Sequence, residues 1–383
     1  MAGTRKKRNK WLQRKHLFLW VKIMTRHYII PIFVPHFGCP HDCVFCNQRK
    51  ITGLSTDVTV EEVRRIIDEH LATFKKDSFI EVAFYGGSFT AIKKEIQMEL
   101  LKVPYEYKKE EKIHNIRLST RPDAIDDDIL GLLKDFKVDT IELGVQSLDN
   151  EVLKMSERGH SDMDVYESTR LIRKWGFKLG HQIMLGLPGD SRKKSLDTAK
   201  SILEMNPDMI RIYPTLVIKN TALEDQMNEG SYTPLSLDEA VETSAMILMA
   251  FTSRNIPVIR VGLQPTENIQ MGKDVVAGPF HPSFRQLVEE YVFRLLFNEY
   301  VTRNRIETKG KVLVFQCSNT KTSIIAGQHG RNRERLIDDY GFKKVKIIPS
   351  IKKDNKVKIV IDNEERVIDL DEEIKLYVNN NPI

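Results

Sequence analysis

The sequence predicts an α/β protein: a partial (β/α)6 TIM-like barrel followed by a small α+β module. Three observations carry that expectation. Between residues 29 and 213 short β-branched and aromatic runs alternate six times with segments of helical period, the pattern of a parallel sheet with helical crossovers. The 383 residues are enough for one large domain and one small one. From residue 309 onward the regular alternation stops and a short α+β pattern takes over. A doubly wound open sheet is the alternative for the first part.

The elements follow in order. Strands are expected at 29–33, 79–85, 116–119, 140–145, 178–185 and 209–213. Helices are expected at 59–74, 94–103, 126–136, 162–175 and 192–205. The first helix sets Val60, Val63, Ile66, Ile67 and Leu71 at helical spacing behind Thr59. The third opens on acids, which suit the positive end of a helix. Residues 220–234 read as turn, 238–254 as a helix, 257–263 as a further strand, 265–282 as loop and 284–300 as a helix that closes the body. In the tail, strands are expected at 311–315 and 344–348, with a hairpin at 357–361 and 366–370.

Composition narrows the classes. The chain is 41% hydrophobic and 29% charged, which is globular usage. No apolar run approaches the ~20 residues that span a bilayer. The net charge of +6 is unevenly spread: residues 1–23 hold eight Lys/Arg and no acid, residues 301–383 hold 17 bases and 12 acids, and 24–300 carry −7. A uniformly basic nucleic-acid coat is excluded, whereas a basic appendage on an acidic body is not. The expected organisation is therefore a basic extension over 1–23, with the composition of a transit peptide or a nucleic-acid-binding arm, or else non-native or disordered with Met24 as the true start, then a core over 24–300 and a basic module over 301–383.

The four cysteines are Cys39, Cys43, Cys46 and Cys317. Three of them cluster in a C-x3-C-x2-C loop just after the first strand. A secreted disulfide framework would use a dispersed, even set, so clustered thiols point to metal binding in a reducing compartment, the cytoplasm. Structural zinc wants four protein ligands, and here there are three unless His36 or His41 joins. A four-iron cluster on three thiolates leaves one iron open to an outside ligand.

With Phe45 before the third cysteine, this loop resembles that of the radical S-adenosylmethionine (SAM) enzymes. The resemblance implies a [4Fe-4S] cluster on Cys39, Cys43 and Cys46, with SAM on the open iron, its reductive cleavage to a 5′-deoxyadenosyl radical, and a low-potential electron donor such as ferredoxin or flavodoxin. It implies that Phe45 flanks the adenine and that the Gly86-Gly87-Ser88 turn meets the SAM amino group; Ser88 departs from the glutamate of many members. Ser119 and Arg121, at the end of the third strand, would add polar contacts. Gln146 would touch the ribose, and the planar fork of Arg158 would pair with the SAM carboxylate. Gln182 and Leu187, in the Gly-Leu-Pro turn after the fifth strand, would lie near the adenine. Cys317 stands alone, so no auxiliary cluster is expected. No general acid or base stands out.

Ser119-Thr-Arg-Pro-Asp123, Glu142-Leu-Gly-Val-Gln-Ser147, Arg158-Gly-His160, Arg211-Ile-Tyr-Pro-Thr-Leu-Val-Ile218 and Gly278-Pro-Phe-His-Pro282 together resemble the Elongator catalytic-subunit branch over roughly 29–285, in the manner of its short bacterial forms. Elongator enzymes modify the wobble uridine of transfer RNA with acetyl-CoA. The segment 301–383 is too short for their acetyltransferase domain, so that chemistry is not carried over. The tail places Gly327-Gln328-His329-Gly330 beside Arg331 and Arg333, which resembles a KH-like RNA-binding module whose glycine loop admits an RNA backbone and whose bases pair with phosphates.

The expected function is thus radical SAM modification of a base in structured RNA, tRNA or rRNA. The alternatives are a small-molecule radical enzyme of coproporphyrinogen oxidase type and a non-enzymatic, zinc-bearing RNA-binding protein.

Overall fold

The computed structural model describes residues 26–34, 39, 42–47, 58–266, 268–350 and 355–381. The expectations for residues 1–23, and for His36 and His41 of the cysteine loop, lie outside these residues. The described chain forms β1 (His27–Val34), α1 (Val60–Thr73), β2 (Phe79–Gly86), α2 (Lys94–Lys109), β3 (Asn115–Thr120), α3 (Asp127–Asp135), β4 (Thr140–Gln146), α4 (Asn150–Met155), α5 (Asp162–Lys174), β5 (Lys178–Leu185), α6 (Arg192–Met205), β6 (Met209–Pro214), β7 (Val217–Ile218), α7 (Ala222–Asn228), α8 (Leu237–Ser253), β8 (Val258–Val261), β9 (Val275–Ala277) and α9 (Phe284–Arg303).

Seven strands form one sheet in the order β1-β2-β3-β4-β5-β6-β8. The order never reverses, whereas a doubly wound sheet switches direction at its ligand crevice. The fold class is therefore the partial barrel of α/β type. The further strand expected at 257–263 is β8, which joins the same sheet beside β6 in parallel register and makes it seven-stranded. Two corrections concern short elements. The segment 220–234 contains helix α7, capped by Thr221, which accepts from Glu224 N at 3.3 Å. The segment 265–282 is not all loop, because β9 pairs antiparallel with β7.

The chain divides into two compact units. One holds Met1–Pro40, Gln48–Gly144 and Asp164–Leu179; the other holds His41–Asn47, Val145–Met163 and Gly180–Ile383. In the first, Ile30, Ile32, Val82, Leu118, Ile141 and their neighbours are fully buried. Side-chain caps start its helices: Thr59 accepts from Glu62 N at 3.2 Å and Asp126 from Ile129 N at 2.7 Å, each worth about 1 kcal/mol. A charged ladder crosses β2, β3 and β4. Glu81 faces His27 at 3.1 Å, Asn115 at 2.8 Å and Arg117 at 3.4 Å, and Arg117 reaches Glu142 at 3.3 Å. Burial pushes the Glu81 carboxyl up, but the His27 and Asn115 hydrogen bonds and the Arg117 charge outweigh it and hold the group down at about 2.

In the second unit, the chain after α9 continues with β10 (Val312–Ser318), α10 (Thr322–Ala326), α11 (Arg331–Asp338), β11 (Lys344–Ser350), β12 (Lys356–Ile361), β13 (Glu364–Asp369) and α12 (Leu370–Asn380), with sheet order β11-β10-β12-β13. The expected hairpin is present, turning on Asp362 (φ 46°) and Asn363 (φ 80°), both left-handed as tight hairpin turns require. Helices α10 and α12 were not expected. The glycine loop therefore joins two helices instead of following a strand directly. Phe293 and Phe297 of α9 stand edge-on to Phe315 of β10, at 5.7 and 5.4 Å between ring centres. Arg303 of α9 donates to Glu373 of α12 at 2.6 and 2.8 Å. The core beneath this sheet thus begins in α9.

Candidate cofactor-binding site

The cysteine loop is tied down at its far end. Cys46 N donates to Cys43 O at 2.9 Å, closing a turn, and Val44 is held on both sides: its N–H donates to Ser156 O at 3.3 Å and its carbonyl accepts from Leu223 N at 2.8 Å. Val44 is buried with Val217, Leu223 and Tyr232, and Phe45 and Met227 pack against that group. Helix α7 and strand β7 thus form the bed of the loop. Arg158, itself buried, donates from Nη1 to Cys43 Sγ at 3.3 Å. The guanidinium comes from the turn after α4, where Arg158 N bonds Leu153 O at 3.0 Å.

The turn after β5 is built by residues that the sequence reading did not single out. Gly186 N donates to Asp190 Oδ2 at 2.8 Å, and Ser195 Oγ donates to the same oxygen at 2.7 Å. Burial pushes the Asp190 carboxyl up, against the pull of these hydrogen bonds. Tyr232 lies in the apolar group beneath Val44, and its hydroxyl reaches across to donate to Gly186 O at 2.6 Å. Gly186 has φ +76°, and a Cβ there would lie 2.6 Å from Leu235 Cδ1. Leu187 is buried. Tyr232 therefore couples the turn carrying Leu187 to the bed of the cysteine loop. No motif in the sequence marks it, because it acts through a backbone carbonyl.

Gln146 closes β4 with φ 66°, an uncommon conformation for a residue with a side chain, and is buried. Gln182 Nε2 donates to its Oε1 at 3.4 Å, so the structure brings these two expected residues together. In the first unit, Gly87 N donates to Val34 O at 2.8 Å, tying the glycine turn to the end of β1, and Ser88 is buried just beyond. Ser119 lies in β3; Arg121, buried at its end, is clamped by Asp123, Nε to Oδ1 at 2.9 Å and Nη2 to Oδ2 at 3.0 Å. Cys39 belongs to this unit and Cys43 and Cys46 to the other. Among the described residues no group of three or more His, Cys, Asp or Glu side chains is gathered at metal-binding spacing.

In the tail, the expected RNA contacts divide. A Cβ on Gly327 would lie 2.6 Å from Asn332 N, and Gln328 Nε2 sits 3.2 Å from His281 Nε2. Gly330 has open space around it, and His329, Arg331 and Arg333 are exposed. Asn332 is buried under the loop, donating to Ile324 O at 3.2 Å.

Residues 33–202 match the family model of the radical SAM superfamily, and residues 207–294 match its C-terminal domain. The chain belongs to the radical SAM superfamily. Its relatives place it in an Elongator-like branch. It is 41% identical to a tRNA uridine(34) acetyltransferase of Dehalococcoides mccartyi over 120 residues, 30% of this chain and 26% of that protein. It is 27% identical to an uncharacterised protein of Methanocaldococcus jannaschii over 239 residues, 59% of this chain and 72% of that protein. The fold also resembles that of Methanocaldococcus infernus Elp3 lacking its N-terminus, with TM-score 0.55, 19% identity, and coverage of 91% of this chain and 76% of that one. The match spans about a quarter of the acetyltransferase.

Radical SAM enzymes use a [4Fe-4S] cluster together with SAM, and both are cofactors of this chain. The residues present suit them. The metal-binding form of cysteine is the thiolate, and a buried guanidinium donating to Cys43 Sγ is a suitable neighbour for one. Membership of an enzyme family also removes the non-enzymatic zinc alternative.

Proposed function

We propose that this radical SAM enzyme modifies a base in structured RNA, with transfer RNA foremost. In this reading Cys39, Cys43 and Cys46 hold the cluster. Bound there, cluster and SAM supply a hydrogen-abstracting radical on reduction by a low-potential ferredoxin or flavodoxin. Arg158 holds negative charge beside Cys43. The Gly186–Asp190 turn, braced by Tyr232, presents Leu187 to the adenine, and Gln146 with Gln182 offers amide donors to the ribose. Gly86, Gly87, Ser88, Ser119 and Arg121 complete the SAM contacts. The basic module over 301–383 presents the RNA to the core over 24–300.

One observation carries the RNA half. Arg331, Arg333 and Arg335 are exposed on α11, directly after the glycine loop, and none has an ion pair among the described residues. Three free cations beside a tight loop suit a phosphate backbone, and one relative is a tRNA uridine(34) acetyltransferase. The test is binding of total tRNA to the full chain across a salt series. Replacing all three arginines by glutamine should flatten the slope of log K against log salt by about two to three. An unchanged slope would remove the RNA half and leave the enzyme class intact. Nucleoside mass spectrometry of cellular RNA with and without the gene then identifies the base.

A further inference from the structure

We propose that Met184 and Tyr213 form a shelf for a flat heteroaromatic ring of the substrate, a nucleobase, beside the expected SAM contacts. The inference deepens the base-modification reading and rests on it.

Strand register places the two side by side. Met184 of β5 pairs with Tyr213 of β6, within a run of six regular pairs that begins with Gly180 opposite Met209 and ends with Leu185 opposite Pro214. Side chains alternate between the faces of a strand. Ile183, Leu185, Ile210 and Ile212 are almost wholly buried, on the face covered by helices such as α8, which packs on β6. Met184 and Tyr213 fall between them, on the other face, and both are half-buried.

Their exposure is informative. β5 and β6 are interior strands, flanked by β4 and β8, so solvent reaches these side chains from above the sheet and not past an edge. Each residue stands next to last in its strand, at the end where parallel α/β sheets bind ligands. Gly186, two residues beyond Met184, opens the turn braced by Tyr232. Gln182, two residues before Met184, is bonded to Gln146. The shelf therefore lies between residues expected to touch SAM.

Its chemistry selects the ligand. A thioether beside a phenol ring makes an apolar, polarizable surface that suits the face of an aromatic ring. The Tyr213 hydroxyl makes no hydrogen bond among the described residues, and it can serve the polar edge of that ring. Arg211, the cation on this face, already has an interaction partner, so a charged ligand gains less here than a neutral ring.

The holoenzyme, reconstituted without oxygen and saturated with SAM, is titrated with uridine, cytidine, adenosine and guanosine in turn, and binding is read by saturation-transfer NMR. At least one nucleoside should bind saturably, its ring protons receiving more saturation than its ribose protons. Tyr213→Leu should raise that Kd about tenfold or more by removing the stacking face. Tyr213→Phe keeps the face and loses only the hydroxyl, so it should raise the Kd about threefold. Met184→Ala should weaken binding as well. SAM affinity, by equilibrium dialysis, and iron content should stay at wild-type values in all three variants. No saturable nucleoside binding to the wild type, or a Tyr213→Leu Kd equal to wild type, overturns the shelf. So does a loss of SAM affinity in Tyr213→Leu that matches the loss of nucleoside affinity, since the ring would then be the SAM adenine. Total tRNA over a salt series, run on the same chains, separates the two readings. Binding of tRNA without binding of any nucleoside overturns the shelf and leaves the RNA reading standing. Tyr213-dependent nucleoside binding without tRNA binding supports the shelf and removes the RNA reading, the base then belonging to a small molecule.

Discussion

Gly186 shows how much can hang on one missing atom. A side chain there must take φ +76° and enter space held by Leu235 at 2.6 Å. Gly186→Ala should destabilise the protein by about 2–4 kcal/mol, from backbone strain and overpacking together, and weaken SAM binding about tenfold; urea unfolding and equilibrium dialysis measure the two effects. Tyr232→Phe removes only the hydroxyl that donates to Gly186 O. It should cost about 1 kcal/mol and loosen SAM with cluster iron unchanged, which iron analysis and dialysis separate. The three clustered cysteines stood out as candidates because thiol spacing is itself chemistry. Tyr232 and Asp190 were not, because each works through the backbone of a turn that only the folded chain brings near. Gln328, read as an RNA contact, sits 3.2 Å from His281 Nε2, a neighbour that the sequence did not suggest.

Helix α7 has the most to do with the cysteine loop and was the hardest helix to see. Its seven residues are too few to show a period, although Thr221 three residues before Glu224 is an N-cap signal. Strands β7 and β9, two and three residues long, left no pattern. By contrast α1, α3, α6 and α8 were legible from period and caps, with Ser236 and Glu239 forming a full capping box on α8. Leu223 of α7 is fully buried beneath Val44. Leu223→Ala should cost about 2–5 kcal/mol through the cavity it leaves, and the loosened bed should shed iron faster. Chelator-challenged iron release, compared with wild type at matched folded fraction, checks this; equal release rates would detach α7 from the loop's stability.

The acid stability of the protein leans on the ladder across β2, β3 and β4. Glu81 titrates at about 2 when folded, against about 4.5 for an ordinary glutamate. Because the folded value is the lower one, its stabilisation is present above about 4.5 and is lost as pH falls from there towards 2. It amounts to about 3 kcal/mol. The stability gap between wild type and Glu81→Gln should therefore narrow over that window, and parallel acid-unfolding curves for the two would refute the assignment. The net charge of +6 hides a comparable division: the body that matches the radical SAM family models is acidic, and the last 83 residues carry +5. It would be natural to test that division by cutting the chain after residue 300. The aromatic seam between α9 and β10 argues otherwise. Phe293 and Phe297 are almost wholly buried, in part by Phe315, and a shortened chain would carry them into water as a sticky stripe, a ready substrate for chaperones and a seed for inclusion bodies. Its failure to bind RNA would then report insolubility, so surface arginine substitutions, which leave that seam closed, are the sounder way to silence the tail.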